Sequence, residues 1–255
     1  MDMRKWVAET ISADKKKAVP VLSFPAIQPM GITVAELIGS SEKQAEAMRL
    51  VAERCDTGAS VSFMDLSVEA EAFGSQIVVS DDEVPTVVGA IVDEDSDPDD
   101  LDVPEVGAGR TGLYLEAIEK ACQEISDRPV LAGCIGPFSL AGRLMDVSEI
   151  MILCYEEPEL VHAVLAKATE FITGYAQAFK DRGADGVVMA EPLAGLLSPD
   201  RPRSSPRPTS SRSLTRCRTT GSACSTTTAA TASSPRPSPS RLWAAWATTS
   251  ATPSR

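Results

Sequence analysis

The sequence lacks the features that mark a membrane, exported or disulfide-linked protein. No apolar run in its 255 residues approaches the ~18 residues of a membrane-spanning helix. The first residues, MDMRKWVAET, lack the apolar core of a signal peptide. The six cysteines include no CxxC pair, which disfavours a disulfide framework. We therefore expect a cytoplasmic protein with reduced thiols and no membrane partner.

Acidic residues are missing from the end of the chain. All 36 Asp and Glu lie within residues 1–200, together with 15 of the 24 Lys and Arg, so this region has a net charge of −21. Residues 201–255 contain nine Arg and no Lys, and Ser, Thr, Pro, Arg and Ala account for 48 of these 55 residues. Such a composition cannot bury enough apolar surface to fold. We therefore expect an organised region, residues 1–200, and a disordered low-complexity tail, residues 201–255.

The composition of the tail also matches a slipped reading frame. Every tail residue except Leu214 and Leu242 has codons with G or C in the middle position. In a GC-rich gene the third codon base is mostly G or C, and a slip of one base makes that base the middle one. We therefore interpret residues from about 201 onward as a frameshift product. When the reading frame is moved by one base, the codons for Thr226–Thr231 are compatible with the residues Tyr-His-Asn-Cys-Gly-Asn.

Apolar patterns in residues 1–200 predict strands that alternate with helices. Apolar runs predict buried strands at Val19–Ile27, Pro129–Ile135 and Gly186–Ala190, and Val61–Leu66 is predicted to be a short strand. Helical periodicity predicts helices at Ser41–Cys55, Gly112–Ile125 and Pro158–Arg182, and we expect a loop at 136–139. This alternation indicates a parallel βα architecture, either a doubly wound sheet or a (β/α)₈ barrel. No GxGxxG or GxxxxGK[ST] follows a strand, so no nucleotide fingerprint supports the first.

Several sequence blocks, which occur in order, resemble the uroporphyrinogen decarboxylase (URO-D) superfamily. They are FMDLSVEAEAFG, DDEVPTV, YLEAIEKACQEISDRPVLAGCIGPFSLAGRLM, EEPELVHAVL and GADGVVMAEPLAG. They are more similar to the methylcobalamin:coenzyme M methyltransferase branch, because PAIQPMG stands where the decarboxylases carry an Arg-rich MRQAGR-type segment. The resemblance implies an α/β fold, a TIM (β/α)₈ barrel of the URO-D type. A barrel of this type typically needs ~250 residues, so we expect the 200 organised residues to form only part of one.

The resemblance implies a zinc-dependent enzyme that moves a methyl group from methylcobalamin, a corrinoid, to a thiol. That branch holds zinc through the His and Cys of an HxCGN motif and a later Cys, and the zinc deprotonates the thiol. This chain has no such motif, and its one histidine, His162, lies in a predicted helix. The shifted frame permits the His and Cys under Thr227 and Ala229, with the later Cys beyond residue 255. We therefore expect no metal ligands, no bound zinc or corrinoid and no activity in this chain. The implied partners of the parent enzyme are a corrinoid protein and a small thiol.

Four residues are candidates for the site, because barrel enzymes carry their active groups at the carboxyl ends of strands. Glu191 ends GVVMA and Asp65 ends VSFM, so both are predicted catalytic carboxylates. Ser139 and Phe138, in the GPFS segment, are predicted to bind substrate. Structural roles remain open: Glu191 as a helix cap or a partner of an Arg, Asp65 as a turn residue, and Ser139 as a cap hydroxyl.

Two other functions remain open. A uroporphyrinogen decarboxylase, an enzyme of tetrapyrrole and heme biosynthesis, needs no metal and holds substrate carboxylates with basic groups. An acidic α/β domain with a genuine Arg- and Ser-rich arm would bind RNA, with a steep salt dependence. The −21 net charge of residues 1–200 opposes this arm, so we expect no nucleic-acid partner.

Overall fold

Parallel strands form the main sheet of the molecule. The computed structural model describes residues 1–21 and 24–197 in full and the backbone of 223–227. In these ranges the sheet has the order β1-β4-β5-β6, and each neighbouring pair is parallel. Its strands are β1 (Ser60–Val61), β4 (Val130–Ile135), β5 (Gly186–Ala190) and β6 (Ala223–Thr227). A separate antiparallel hairpin consists of β2 (Gln76–Val78) and β3 (Thr86–Val88).

Helices precede, connect and cover these strands. They are α1 (Met3–Ser12), α2 (Ile27–Met30), α3 (Val34–Ile38), α4 (Ser41–Arg54), α5 (Val68–Ala72), α6 (Thr111–Glu124), α7 (Pro137–Leu144), α8 (Val147–Glu156) and α9 (Pro158–Asp181). Short 3₁₀ turns occur at Phe24–Ala26, Pro98–Asp100 and Leu193–Leu196. The predicted parallel βα architecture is confirmed.

Helix α9 shows how local sequence produces this fold. Its apolar residues recur at the helical period, and the face that they form, from Leu160 to Phe179, is buried. Pro158 occupies the first turn, where its missing N–H costs no hydrogen bond. Gly183, at φ +98°, ends the helix in a backbone conformation that other residues rarely adopt. The predicted helix is therefore confirmed at both ends.

Strand β4 is covered on both faces, as its continuous apolar run predicted. All six of its residues are buried. Val130, Ala132 and Cys134 belong to the large core beneath the helices. Leu131 packs on the other face with Val61 and Val188, where Met3 and Trp6 of α1 cover them.

Two predicted elements are wrong, and the strand predicted at Val61–Leu66 is much shorter, since β1 ends at Val61. The run at Val19–Ile27 contains no strand in its described residues, 19–21 and 24–27: residues 24–26 form a 3₁₀ turn, and α2 begins at Ile27. Pro20 and Pro25 have no N–H to donate to a neighbouring strand, so apolar composition alone misleads there. The expected loop at 136–139 is the start of α7, because Pro137 at its first position is compatible with a helix.

The predicted tail has one described segment. Ala223–Thr227 form β6, whose backbone pairs with β5 from Gly186 to Ala190. Residues 198–222 and 228–255 lie outside the described residues, and so do the predicted boundary at residue 200, most of the predicted frameshift and the predicted disorder. None of the helices in the described ranges is sufficiently long and apolar to cross a bilayer.

Candidate functional site

Glu191 follows β5 and lies against the start of α7. Glu191 is only 1% exposed to solvent. Oε2 accepts a hydrogen bond from the Phe138 amide at 3.1 Å, and Oε1 accepts one from the Ser139 amide at 2.6 Å. The Ser139 hydroxyl also donates to Oε1. Because the free amides of a helix N-terminus favour a negative charge, Glu191 caps α7 through a contact that spans 52 residues of sequence.

Ser139 and Phe138 contribute to this cap in different ways. The Ser139 hydroxyl donates to Glu191 and accepts a hydrogen bond from the Leu193 amide at 3.1 Å, so it ties α7 to the segment after β5. The Phe138 side chain is fully buried in the large core, and its backbone amide alone faces the carboxylate. The structure thus brings three predicted site residues together, two of them through backbone amides.

Gly136 allows this close approach. A Cβ atom at this position would overlap Glu191 Oε2 and crowd the rest of the carboxyl group. The Gly136 backbone has an ordinary φ of −83°, so space rather than conformation requires glycine here. Its amide donates to the Ala190 carbonyl at 2.6 Å. The turn between β4 and α7 is therefore fitted to Glu191.

Burial raises the pKa of Glu191 above its usual value, and its hydrogen bonds to Ser139 and Phe138 oppose that shift. No side-chain cation contributes to the shift. Amide and hydroxyl dipoles therefore stabilise the charged form of this carboxylate.

Asp65 lies in a second cluster, after β1. Its Oδ1 accepts hydrogen bonds from the Ser67 amide at 3.1 Å and the Ser67 hydroxyl at 2.6 Å, which is the geometry of a turn residue. Its Oδ2 accepts from Arg110 at 2.5 Å and from the Tyr114 hydroxyl at 3.0 Å. The predicted candidate is thus a buried carboxylate whose two oxygens are both engaged.

Arg110 is the centre of charge in this second cluster. Besides Asp65, its guanidinium group donates to Glu71 at 2.6 Å and to the Ser67 hydroxyl at 3.1 Å. Burial, with the adjacent Asp65 charge, raises the pKa of Tyr114 well above its usual value, so the phenol is a hydrogen-bond donor at neutral pH. Arg110 and Tyr114 are residues that the sequence analysis missed, since a GAGRTG segment does not show which carboxylate its arginine will meet.

Glu69 is a third buried carboxyl group, which the sequence analysis also missed. It lies in α5, and its Oε1 accepts a hydrogen bond from the Ile135 amide at 3.0 Å. Burial raises its pKa to about 7. In the sequence, VEAEA is indistinguishable from a solvated helix face, because only the position of β4 decides which glutamate is buried.

The described residues do not form a metal site. No group of three or more His, Cys, Asp or Glu among them could hold a metal ion. His162 is exposed on α9, and Cys134 is buried in β4. Thr227, under which the shifted frame permits a histidine, is the last residue of β6, and Ala229 lies outside the described residues. The donor set of this part of the chain therefore does not fit zinc.

Comparisons with known proteins match most of this chain. The family model for uroporphyrinogen decarboxylase (URO-D) matches residues 18–228. The methylcobamide:CoM methyltransferase MtbA of Methanosarcina acetivorans is 33% identical over 132 residues, which are 51% of this chain and 39% of that protein. The uroporphyrinogen decarboxylase of Myxococcus xanthus is 29% identical over 177 residues, 66% of this chain and 49% of that protein. The chain thus spans about two fifths to half the length of these relatives.

The fold is also shared with a solved structure, a methyltransferase from Methanosarcina mazei. The TM-score is 0.72 at 24% identity, and the match covers 89% of this chain and 69% of that one. The predicted URO-D-type TIM barrel is confirmed, with four parallel strands of its sheet within the described residues. The barrel is therefore incomplete in the part of the chain that the structure describes.

Proposed function

Since this chain belongs to the uroporphyrinogen decarboxylase family, we propose that it derives from a methyltransferase that moves a methyl group from methylcobalamin to a small thiol. Two relatives named methylcobamide:CoM methyltransferases, at 33% and 30% identity, support this activity. A corrinoid protein is the methyl-donating partner that we propose. With its present tail the chain is inactive, because Thr and Ala occupy positions 227 and 229.

The end of β6 is the observation that carries this proposal. Thr227 is the register partner of Ala190, the residue before Glu191. The carboxyl ends of neighbouring parallel strands lie at one edge of a sheet. A His restored at position 227 would therefore end β6, at the edge of the sheet where Glu191 follows β5, and a Cys at 229 would come two positions later in the sequence. The codon arithmetic and the strand register are independent arguments for the same position.

The residues present do not fit zinc, and so we assign the chain's own residues a scaffolding part in the parent site. Glu191, which follows β5, places a buried carboxylate at the start of α7, and its bonds to the α7 amides fix its orientation. Ser139 holds both Glu191 and Leu193, which secures the segment that follows β5. Asp65 is the second carboxylate, and Arg110 neutralises it in place.

A uroporphyrinogen decarboxylase is the second candidate function. The relative of that name from Myxococcus xanthus matches 66% of this chain against 51% for MtbA, although a methylated-thiol–coenzyme M methyltransferase from Methanosarcina mazei matches 67%. The helix at Ile27–Met30 contains no basic residue, which opposes the binding of substrate carboxylates there. A chelator distinguishes the two candidate functions, because it should inhibit the zinc-dependent methyltransferase and not the decarboxylase, which needs no metal.

Restoring the reading frame tests the proposed function. The frame-restored gene, extended to the natural stop codon, should yield a protein that retains about one zinc per chain after dialysis, measured by mass spectrometry. It should transfer the methyl group of methylcobalamin to a thiol and lose this activity with chelator. The matched control is the same frame-restored gene with an alanine codon at position 227.

Two controls, the alanine version and the present chain, show whether the restored histidine is needed to bind zinc. The alanine version should lose most of its zinc, and the present chain should retain none. A shifted frame that meets stop codons soon after codon 200, or a restored protein with no more zinc than the alanine version, would refute the proposal. Full methyl transfer by the present chain would refute its inactivity.

A further inference from the structure

Glu69 has one oxygen in use and one without a partner. The residue is 2% exposed, and Oε1 accepts the Ile135 amide at 3.0 Å. No donor among the described residues reaches Oε2. An enclosed carboxylate oxygen without a donor is costly when charged, whereas a neutral carboxyl group avoids most of that cost. The surroundings therefore favour the protonated form.

The amide that Glu69 binds begins the turn to which Glu191 is fitted. Ile135 ends β4, the Gly136 amide binds Ala190, and the next two free amides bind Glu191. Glu69 thus holds this turn from the β1 side of the sheet, and Glu191 holds it from the β5 side. The chain from 135 to 139, called here the β4–α7 turn, has every backbone N–H bound, since Pro137 has none.

We propose that Glu69 is a positioning residue: by accepting the Ile135 amide it fixes the β4–α7 turn and thereby the placement of Ser139 and Glu191. The significance of that placement for catalysis rests on the proposed function, but the link between Glu69 and the turn does not. Glu69 acts through the Ile135 amide, and it has no contact of its own with Glu191 among the described hydrogen bonds. The Ile135 bond favours the charged carboxylate, but burial outweighs it, so ionisation of Glu69 weakens the folded structure around the turn.

The charges around Glu69 agree with this protonation state. Asp65, in the loop before α5, repels a second negative charge, whereas Arg110, just before α6, is paired with Asp65 and Glu71. Tyr114 of α6 and Tyr175 of α9 stay neutral, because burial raises the pKa of each well above its usual value. Across the β4–α7 turn, Glu191 is a further buried carboxyl group. Arg110 is the one cation among these neighbours, and it is already paired.

The sign of the pH dependence follows from burial, which raises the pKa of Glu69 from 4.5 to about 7. Between these values the folded chain keeps a proton that the unfolded chain has lost. The stabilisation is therefore full below pH 4.5 and is lost as the pH rises toward 7, by up to about 300-fold in the folding equilibrium constant. Above pH 7 the charged group remains buried, and Ile135 is the one donor that another described residue offers it.

Hydrogen–deuterium exchange, measured on the full chain with its present sequence, tests the proposal and requires no activity assay. Peptides that cover residues 130–140 are compared at pH 6 and pH 8, after correction for the intrinsic exchange rate. At pH 8 the protonated fraction of a group with a pKa of about 7 is about a tenth, so protection of the β4–α7 turn should fall about tenfold. In Glu69→Gln, an uncharged acceptor of similar shape, protection should be equal at both pH values.

Two further variants make the result decisive. Glu69→Leu, which removes the acceptor, should lose protection of the Ile135 amide at both pH values. Glu46→Gln, on the exposed face of α4, should behave like the unaltered chain. A pH profile that is the same with Glu and with Gln at position 69 would overturn the proposal, as would full protection in Glu69→Leu. Failure to bind zinc in the frame-restored protein would refute the proposed function and leave this exchange result unaffected.

Discussion

Asp65 and Glu191 are two buried strand-end carboxylates that the fold stabilises in different ways. Asp65 has a full cation beside it, the guanidinium of Arg110 at 2.5 Å. Glu191 has no ion pair in the described part of the chain and accepts from two helix amides and one hydroxyl. A carboxylate held by dipoles depends on the geometry of a turn, whereas one held by a cation depends on a single side chain.

This difference predicts different sensitivities to substitution. The Asp65 cluster should fail when its cation is removed, because a buried charge then has no counterion. The Glu191 cluster should fail when the turn beneath it changes shape, because the dipoles then no longer converge. Three substitutions, taken from the largest expected effect to the smallest, test this comparison.

Replacing the cation should have the largest effect. Arg110→Leu leaves Asp65 buried and unpaired, and we expect the free energy of unfolding to fall by about 3–5 kcal/mol. Urea denaturation measures this loss. The double variant Asp65→Asn/Arg110→Leu, which removes the buried charge as well, should be more stable than Arg110→Leu alone.

The control for this substitution is an exposed ion pair. Arg182→Leu breaks the pair with Glu119, in which both side chains are more than 40% exposed, and should cost no more than about 1 kcal/mol. A loss in Arg110→Leu no greater than that in Arg182→Leu would show that the guanidinium is not what holds Asp65.

Changing the shape of the β4–α7 turn should have an intermediate effect. Gly136→Ala places a methyl group where Glu191 Oε2 lies, and we expect a loss of about 1–3 kcal/mol as the carboxylate is displaced. Gly174→Ala, inside α9, meets only a Val106 methyl group at 3.2 Å and gains helix propensity, so it should be neutral or stabilising. Equal urea midpoints for the two variants would contradict the fitted turn.

Removing the Ser139 hydroxyl should have the smallest effect on the free energy of unfolding. Ser139→Ala leaves the two helix amides on Glu191 but deprives the carboxylate and the Leu193 amide of one partner each. We expect a loss of about 1–2 kcal/mol in urea denaturation. Ser148→Ala, on the exposed start of α8, serves as the control and should change stability by less than about 0.5 kcal/mol. A Ser139→Ala loss as large as that of Gly136→Ala would mean that the hydroxyl outweighs the turn.

The regular elements were the predictable part of the fold. Helix α9 follows from its period and its end residues, and β4 and β5 follow from continuous apolar runs, because these signals lie within each element. The strand predicted at Val19–Ile27 failed where two prolines interrupt the backbone donors. Local sequence predicted these elements correctly because the spacing of their apolar residues agreed with the positions of proline and glycine.

The partners in the candidate site were not predictable, because they lie far apart in sequence. Glu191 meets Ser139 across 52 residues, and Arg110 meets Asp65 across 45. The prediction named both carboxylates from their place after strands, but it did not identify Arg110, Tyr114 or Glu69. Which of several acidic residues is buried depends on the packing of α5 and α6 around β4, and a single sequence does not encode that as a local pattern.

The strand register also has a kinetic consequence during synthesis. Ser60 of β1 pairs with Val130 of β4, 70 positions later, and Leu131 pairs with Gly186, a further 55 positions on. Contacts this distant in sequence form slowly, since a long loop must close before any of them is made. On the ribosome, β1 therefore emerges well before its partner, and α4 is available earlier to cover it.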